Sequence, residues 1–283
     1  MEKQNSWGTL FIVATPVGNL EDITFRAIKI LNQVDLIAAE DTRHSRKLLL
    51  HYDIGTKLIS CHEHNEVKKI PGIISDLKNG LDIALISDAG TPTISDPGYK
   101  LVTAVADEQI SVIPIPGCNA AIAGLSVSGL ATDSFLFLGF LPKKQAKLRQ
   151  SLENLKELNA TLIFYESPRR IKTLISIMLN IFDDRKTCLA REITKLHEEY
   201  IRGSLSDILK KLEEKETIKG ECSLFVQGCL KEKTIDQKEL KEIIIDRLSN
   251  NVLGTSGLAK QISREFNLSK KQVYDMILNI QEL

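Results

Sequence analysis

The sequence predicts an α/β protein: two α/β domains followed by a small C-terminal helical segment. Three observations lead there. Short apolar runs alternate with longer amphipathic stretches through residues 10–115, Pro114, Pro116 and Gly117 interrupt that alternation before it resumes, and charged helical sequence replaces it after Gly228. At 283 residues the chain exceeds the size at which a single core usually stops growing. The expected boundaries are therefore an N-terminal α/β domain over 1–117, a second over 118–229 and a helical appendage over 230–283.

In the first part, 10–14, 36–39, 83–86 and 110–115 read as buried strands, and 25–32, 43–51, 65–77 and 99–107 have helical length and period. Near-continuous apolar strands separated by helices imply a mainly parallel sheet covered on both faces. A helix of small residues, 120–128, follows the Pro/Gly break. Strands at 135–139, 160–165, 186–190, 199–202 and 223–227 then alternate less regularly with helices at 145–158 and 169–181, and Ser204 caps a third helix. The 199–202 and 223–227 strands lack a long helix-rich crossover before each, so this second sheet is expected to be mixed. Three helices close the chain at 237–248, 258–266 and 270–278, the last two joined by a turn at 267–269 with helix-turn-helix spacing.

The 37 basic residues balance 37 acidic ones, so any surface for a polyanion must be a local patch. Five cysteines without a CxxC pair argue against a zinc site or a disulfide framework and suit a cytoplasmic protein with reduced thiols. The polar segment 1–7 lacks the features of a secretory signal, and the apolar-rich stretch 110–130 is broken by Pro114, Pro116 and Gly117, so no membrane association is expected.

In open parallel sheets ligands bind beyond the carboxyl ends of the strands. Three loops of small residues fall there: Thr15-Pro16-Val17-Gly18 after the first strand, Ser87-Asp88-Ala89-Gly90-Thr91-Pro92 continuing to Asp96-Pro97-Gly98 after the third, and Pro116-Gly117-Cys118-Asn119-Ala120 after the fourth. Their glycines permit close approach by a ligand. GxGxxG after the first strand and GxxxxGK[ST] are both absent, which leaves a dinucleotide site and a phosphate-cradling loop unsupported. A pocket of backbone and small side chains better suits an adenosine-type ligand.

These loops, with Glu40-Asp41-Thr42-Arg43, His62-Glu63-His64-Asn65-Glu66 and Tyr165-Glu166-Ser167-Pro168-Arg169-Arg170, occur in an order that resembles the tetrapyrrole methylase superfamily, in its branch that methylates small-subunit ribosomal RNA. The resemblance runs from about Thr9 to Gln227. It implies two α/β domains of the tetrapyrrole methylase type, with S-adenosylmethionine in the cleft between them. It further implies a homodimer, and transfer to the 2′-hydroxyl of a cytidine in the decoding region of 16S rRNA, free or within the 30S subunit. Carried over residue by residue, it places Pro16, Gly90, Thr91, Pro92, Ile94, Asn119, Ala120 and Tyr165 around the cofactor, with Arg191 or Glu192 and Gly220 or Glu221 from the last strands.

Methyl transfer from a sulfonium depends mainly on alignment and exclusion of water, where orientation alone contributes on the order of 7–11 kcal/mol. A metal is unnecessary and none is expected. A carboxylate or imidazole near the acceptor hydroxyl could add roughly 10²–10⁴-fold. Asp88 and Glu166 are the leading choices for positioning or base, with Glu192, His62 and His64 also open. Basic clusters at Arg43, Arg46 and Lys47, at Lys143, Lys144, Lys147 and Arg149, and at Arg169 and Arg170 suggest a local RNA surface. Two other functions stay open, a methylase of a tetrapyrrole or other small molecule and a non-catalytic RNA-binding assembly factor.

Overall fold

Five short parallel strands form the first sheet of the computed structural model, which describes residues 7–230, 237–250, 254–266 and 268–281. Two expectations fall outside those residues, the polar opening segment at 1–6 and Asn267 in the last turn. The strands are β1 (Leu10–Val13), β2 (Leu36–Ala39), β3 (Leu58–Ser60), β4 (Ile83–Ile86) and β5 (Val112–Ile115), in the order β3-β2-β4-β1-β5. Helices α1 (Phe25–Gln33), α2 (Thr42–His51), α3 (Glu66–Lys78) and α4 (Tyr99–Asp107) cover both faces. The pleat sorts the side chains. Leu36 and Ala38 pack with Ile73, Leu77, Leu101 and Val105 of α3 and α4, whereas Ile37 and Ala39 pack with Ala27, Leu31 and Leu49 of α1 and α2. This burial on both faces is why β2 and β4 read as unbroken apolar runs.

The strand order sets where a ligand can enter the first sheet. β1 and β4 are hydrogen-bonded neighbours, yet the helix after β1 lies on one face and the helix after β4 on the other. Such a divergence opens a crevice at the carboxyl ends of the two strands.

The chain then builds a second sheet through α5 (Ala120–Ser128), β6 (Phe135–Phe140), α6 (Gln145–Glu153), β7 (Thr161–Glu166), α7 (Ile171–Phe182), β8 (Lys186–Arg191), β9 (Glu199–Ser204), α8 (Leu205–Glu213) and β10 (Cys222–Val226). Its order is β6-β7-β10-β8-β9, with β6 parallel to β7 and every other pair antiparallel. The mixed sheet is as the missing crossovers imply. Ser204 starts α8 through a reciprocal capping box with Asp207. One face carries α6, α7 and α8; α5 packs on the other, where Gly124 lies against the fully buried ring of Phe225.

Both sheets fall within one compact unit, Met1–Gly228, and Cys229–Leu283 forms a second. In the second unit α9 (Gln237–Asn250), α10 (Thr255–Glu265) and α11 (Lys270–Gln281) share a core of Leu240, Ile244, Leu258, Ile262, Val273 and Ile277. Elements that differ from the sequence expectation include a 3-10 turn at Leu20–Asp22 and an earlier start of α10, at Thr255 rather than 258. β3 is a three-residue edge strand with every residue only half-buried, too short to produce a periodic signal. The helix expected over 145–158 stops at Glu153 and continues as turns.

Gly124 tests the fit of α5. A Cβ there would stand 2.3 Å from Cζ of Phe225. Gly124→Ala gains about 1 kcal/mol of helix propensity but forces an overpacked contact that costs about 1–3 kcal/mol. We expect net destabilisation in urea unfolding; a raised midpoint would mean that the ring yields.

Candidate functional site

The loops after β1, β4 and β5 are stitched together at one sheet edge. Thr15 and Gly90 exchange two backbone hydrogen bonds, the Thr15 amide to the Gly90 carbonyl at 2.8 Å and the Gly90 amide to the Thr15 carbonyl at 3.0 Å. The Thr15 hydroxyl donates to the Ser87 carbonyl at 3.1 Å, and the Thr91 hydroxyl donates to the Cys118 carbonyl at 3.0 Å. Gly90 has φ of +80°, a region where any other L-residue is strained. Asn119 then caps α5, its side-chain oxygen accepting from the Ile122 amide at 3.1 Å, and the Tyr165 hydroxyl accepts from the Ala121 amide at 3.0 Å. Helix α5 is thereby tied to the end of β7.

Above these loops lies a cavity of about 360 Å³. Val17, Gly90, Thr91, Ile94, Asp96, Asn119 and Ala120 line it from the first-sheet side; Phe140, Tyr165, Glu166, Gly220, Glu221 and Ser223 line it from the second. Tyr165 meets Phe137 and Phe140 edge-on, with ring centroids 5.0 and 5.7 Å away. Burial pushes its hydroxyl up to about 12. The charged residues in the lining are all acidic: Asp96, Glu166 and Glu221.

Of the residues expected around a cofactor, Gly90, Thr91, Ile94, Asn119, Ala120, Tyr165, Gly220 and Glu221 do line this cavity. Others sit elsewhere. Pro16 belongs to a neighbouring recess of about 330 Å³, with His44, Lys47, Asp88 and Lys195. Pro92 is buried and does not line the cavity. Arg191 points away into an ion pair with Glu199 and a 2.8 Å hydrogen bond to the Lys219 carbonyl. Glu192 acts from behind: its carboxylate accepts from the Glu221 amide at 2.9 Å and pairs with Lys195 at 2.9 Å. A Cβ on Gly220 would stand 2.3 Å from Cδ of Glu192, and φ there is +86°, a conformation L side chains rarely adopt, so glycine suits that position.

The proposed bases divide in the same way. Asp88 accepts the Asp41 amide at 3.1 Å. Glu166 is buried, accepts the Ser167 amide at 2.7 Å and lies 3.2 Å from the guanidinium of Arg170. Arg170, read from sequence as an RNA contact, is drawn inward by that carboxylate and by the Leu141 and Pro142 carbonyls. Arg43, Arg46, Lys47, Lys143, Lys144, Arg149 and Arg169 are exposed. Arg43 is paired with Asp41, the N-cap of α2, and this holds the Asp41 carboxyl down to about 2.

The His62–Asn65–Glu66 motif is architectural. Asn65 accepts the His62 amide at 2.8 Å, and buried Glu66 accepts the Leu101 amide at 2.8 Å in the first turn of α4. Gly98, which precedes that helix, has no side chain to cap it, so the carboxylate of Glu66 supplies the missing acceptor. Among the described residues no group of three His, Cys, Asp or Glu side chains is arranged to hold a metal ion.

Sequence reading missed Asp96, which lies in the loop it singled out. Desolvation, then repulsion from Glu40 and Asp88, lifts this carboxyl to about 6 against the opposing hydrogen bond from Ser87. Nothing in the local spelling marks it; only folding brings Glu40 and Asp88 beside it.

A model of the tetrapyrrole (corrin/porphyrin) methylases matches residues 9–209. The chain is 53% identical over 227 residues to a protein of Halalkalibacterium halodurans named ribosomal RNA small subunit methyltransferase I, covering 80% of this chain and 78% of that one. It is 42% identical to the protein of that name from Bacillus subtilis, over 96% of this chain and 94% of the relative. Among solved structures, a cobalt precorrin-4 methyltransferase superposes with TM-score 0.59 at 14% identity, covering 77% of this chain and 94% of the other. A uroporphyrin-III-C-methyltransferase from Thermus thermophilus superposes with TM-score 0.55 at 19% identity, covering 78% and 92%. At these identities the solved structures speak for the fold alone.

Asp96 yields a stability prediction. Its folded-state pKa lies above the ordinary 3.8, so the folded protein holds the proton more tightly than the unfolded chain. The ionised carboxylate thus lowers stability as pH rises from about 4 to about 6, and the deficit persists above. Asp96→Asn should melt higher than the wild type at pH 7 and converge with it below pH 3.8, measured by thermal unfolding across pH.

Proposed function

The chain belongs to the tetrapyrrole (corrin/porphyrin) methylase family, and from that premise we propose that it is an S-adenosylmethionine-dependent methyltransferase of small-subunit ribosomal RNA. Its acceptor is the ribose 2′-hydroxyl of a cytidine in the decoding region of 16S rRNA. The observation that carries this reading is the convergence on one cavity of the loops that resemble the RNA-modifying branch.

The cavity fits the cofactor. Its volume is in the range of small-molecule sites, and its apolar and aromatic walls suit an adenine ring. Its charged lining is purely acidic, which suits a cationic sulfonium and repels nucleic-acid phosphate. Gly90, Thr91, Ile94, Asn119, Ala120 and Tyr165 would hold the cofactor, with Gly220 and Glu221 closing the far side. When bound, S-adenosylmethionine supplies an electrophilic methyl carbon whose leaving group is a neutral thioether. The protein's part is to orient the acceptor and exclude water.

RNA is engaged from outside the cavity. The exposed Arg43, Arg46 and Lys47 on α2 share one helix face by their spacing, and Lys143, Lys144 and Arg149 stand around the start of α6. Among the described residues no helix is long and apolar enough to cross a membrane, which accords with a cytoplasmic enzyme acting on 16S rRNA or the 30S subunit. We include a homodimer in this reading. The apolar side chains exposed on edge strand β6, Phe135, Leu136 and Phe140, and on α5, Ile122 and Val127, offer surface for a second copy.

The direct test maps ribose methylation along 16S rRNA from cells with and without this protein. Loss of one 2′-O-methyl mark at a decoding-region cytidine is expected; an unchanged map would overturn the reading. A second test separates the RNA surface from the cofactor cavity. Replacing Arg43 and Arg46 with Gln should weaken 30S binding and flatten its salt dependence by about one unit of slope per lost phosphate contact, with cofactor affinity intact. Loss of cofactor binding with an unchanged salt slope would reassign that patch to the cofactor site or the fold.

A further inference from the structure

Resting on the function proposed above, we propose that Asp96 accepts the proton of the methyl-acceptor hydroxyl. Two recesses meet at this residue. One is the cavity of about 360 Å³; the other, of about 460 Å³, is lined by Glu40, Glu63 and Glu66 with His62, His64 and Lys100, and Ser95 and Asp96 are the residues common to both walls. On this proposal the ribose of the acceptor nucleotide sits in the second recess, facing the first across these two residues, so that its hydroxyl meets the Asp96 carboxylate.

Most of the acidic residues around it are occupied. Asp88 is held by the Asp41 amide, Glu166 by the Ser167 amide and Arg170, Glu192 by the Glu221 amide and Lys195, and Glu66 by the first turn of α4. The loop carrying Asp96 is also fixed in an unusual path, with positive φ at Thr93 (75°), Ser95 (66°) and Gly98 (118°). Strain of this kind persists only where the surrounding structure imposes it.

The groups that face Asp96 are the Ser87 hydroxyl, Glu40 from the end of β2, Asp88 after β4 and Tyr165 from β7, with His62 beyond Glu40 and Lys100 in the wall of the second recess. Burial and the two carboxylates place its pKa at about 6, where it is ionised at neutral pH and still basic enough to take a proton. In the transfer the acceptor O–H bond breaks and its proton goes to the Asp96 carboxylate. The freed oxygen pair forms the new O–CH₃ bond, and the pair of the breaking C–S bond returns to sulfur. The proton then leaves to water, so no further reactant is needed.

The test compares wild type, Asp96→Asn, Asp96→Glu and Glu40→Gln by single-turnover methylation of 30S subunits across pH, and by calorimetry with S-adenosylhomocysteine. Asp96→Asn should lose roughly 10²–10⁴-fold in rate, keep its affinity for the nucleoside, and lose the acidic limb that wild type shows near pH 6. Asp96→Glu, which restores a carboxylate, should recover part of the rate. Wild-type rates in Asp96→Asn, loss of nucleoside binding in that variant, or an acidic limb that vanishes in Glu40→Gln and persists in Asp96→Asn would each overturn the assignment while leaving the methyltransferase reading in place. A wild-type protein that methylates neither 30S subunits nor free 16S rRNA would overturn both.

Discussion

The pair of backbone hydrogen bonds between Thr15 and Gly90 is the constraint on which the rest of the site depends. β1 and β4 end side by side, but their helices leave to opposite faces of the sheet, and without a tie their loops would separate. The bridge closes that gap and satisfies polar groups that are buried there, Thr15 at 1% and Ser87 at 3% exposure. From it a continuous series of contacts reaches the second sheet: Thr91 to the Cys118 carbonyl, Asn119 to the first turn of α5, and the Ala121 amide to Tyr165 on β7. The cavity is the space this series encloses. Its shape therefore depends on both sheets and on α5, which links them.

Electrostatics divides the labour in a chain whose net charge is zero. The charged residues lining the cavity are carboxylates, whereas exposed arginines and lysines stand on α2 and around the start of α6. A cation is favoured inside and a polyanion outside, so the two ligands of the proposed reaction do not compete for the same groups. Among the carboxylates, most are satisfied by amides or by cations at fixed positions, and these serve the architecture. Asp96 and its neighbour Glu40 are both raised, chiefly by burial, which is the condition expected of groups at a functional site rather than of groups kept for stability.

Several pairings explain why motif residues carry different roles from those their chemistry suggests. Arg170 belongs to an arginine-rich stretch, yet the buried Glu166 four residues before it would be an uncompensated charge without that guanidinium. Glu66 closes a motif with two histidines, but its carboxylate serves a helix that begins after a glycine and has no cap of its own. Glu192 lies behind the cavity wall and orders the Gly220–Glu221 turn that does line it.

The order of strands and helices, the mixed second sheet, the Ser204 cap and the gathering of three small-residue loops were legible in the sequence. Each rests on local information: two-residue or helical period, capping chemistry, and glycines and prolines at strand ends. β3 escaped because three half-buried residues carry no period. The sheet's topology put the three loops at one edge, and the family resemblance picked out Gly90, Thr91, Ile94, Asn119 and Ala120 within them, which line the cavity. Neither signal reached Asp96, Phe140 or Ser223, or the withdrawal of Arg170 and Arg191 into ion pairs. Those depend on which side chains meet across long stretches of chain, as Asp96 does with Glu40 and as Arg191 does with the Lys219 carbonyl after a shorter excursion. Local sequence determined which loops would gather at one sheet edge; only the tertiary packing decided which charges near them are paired and which are buried, because burial and pairing are properties of the assembled surroundings.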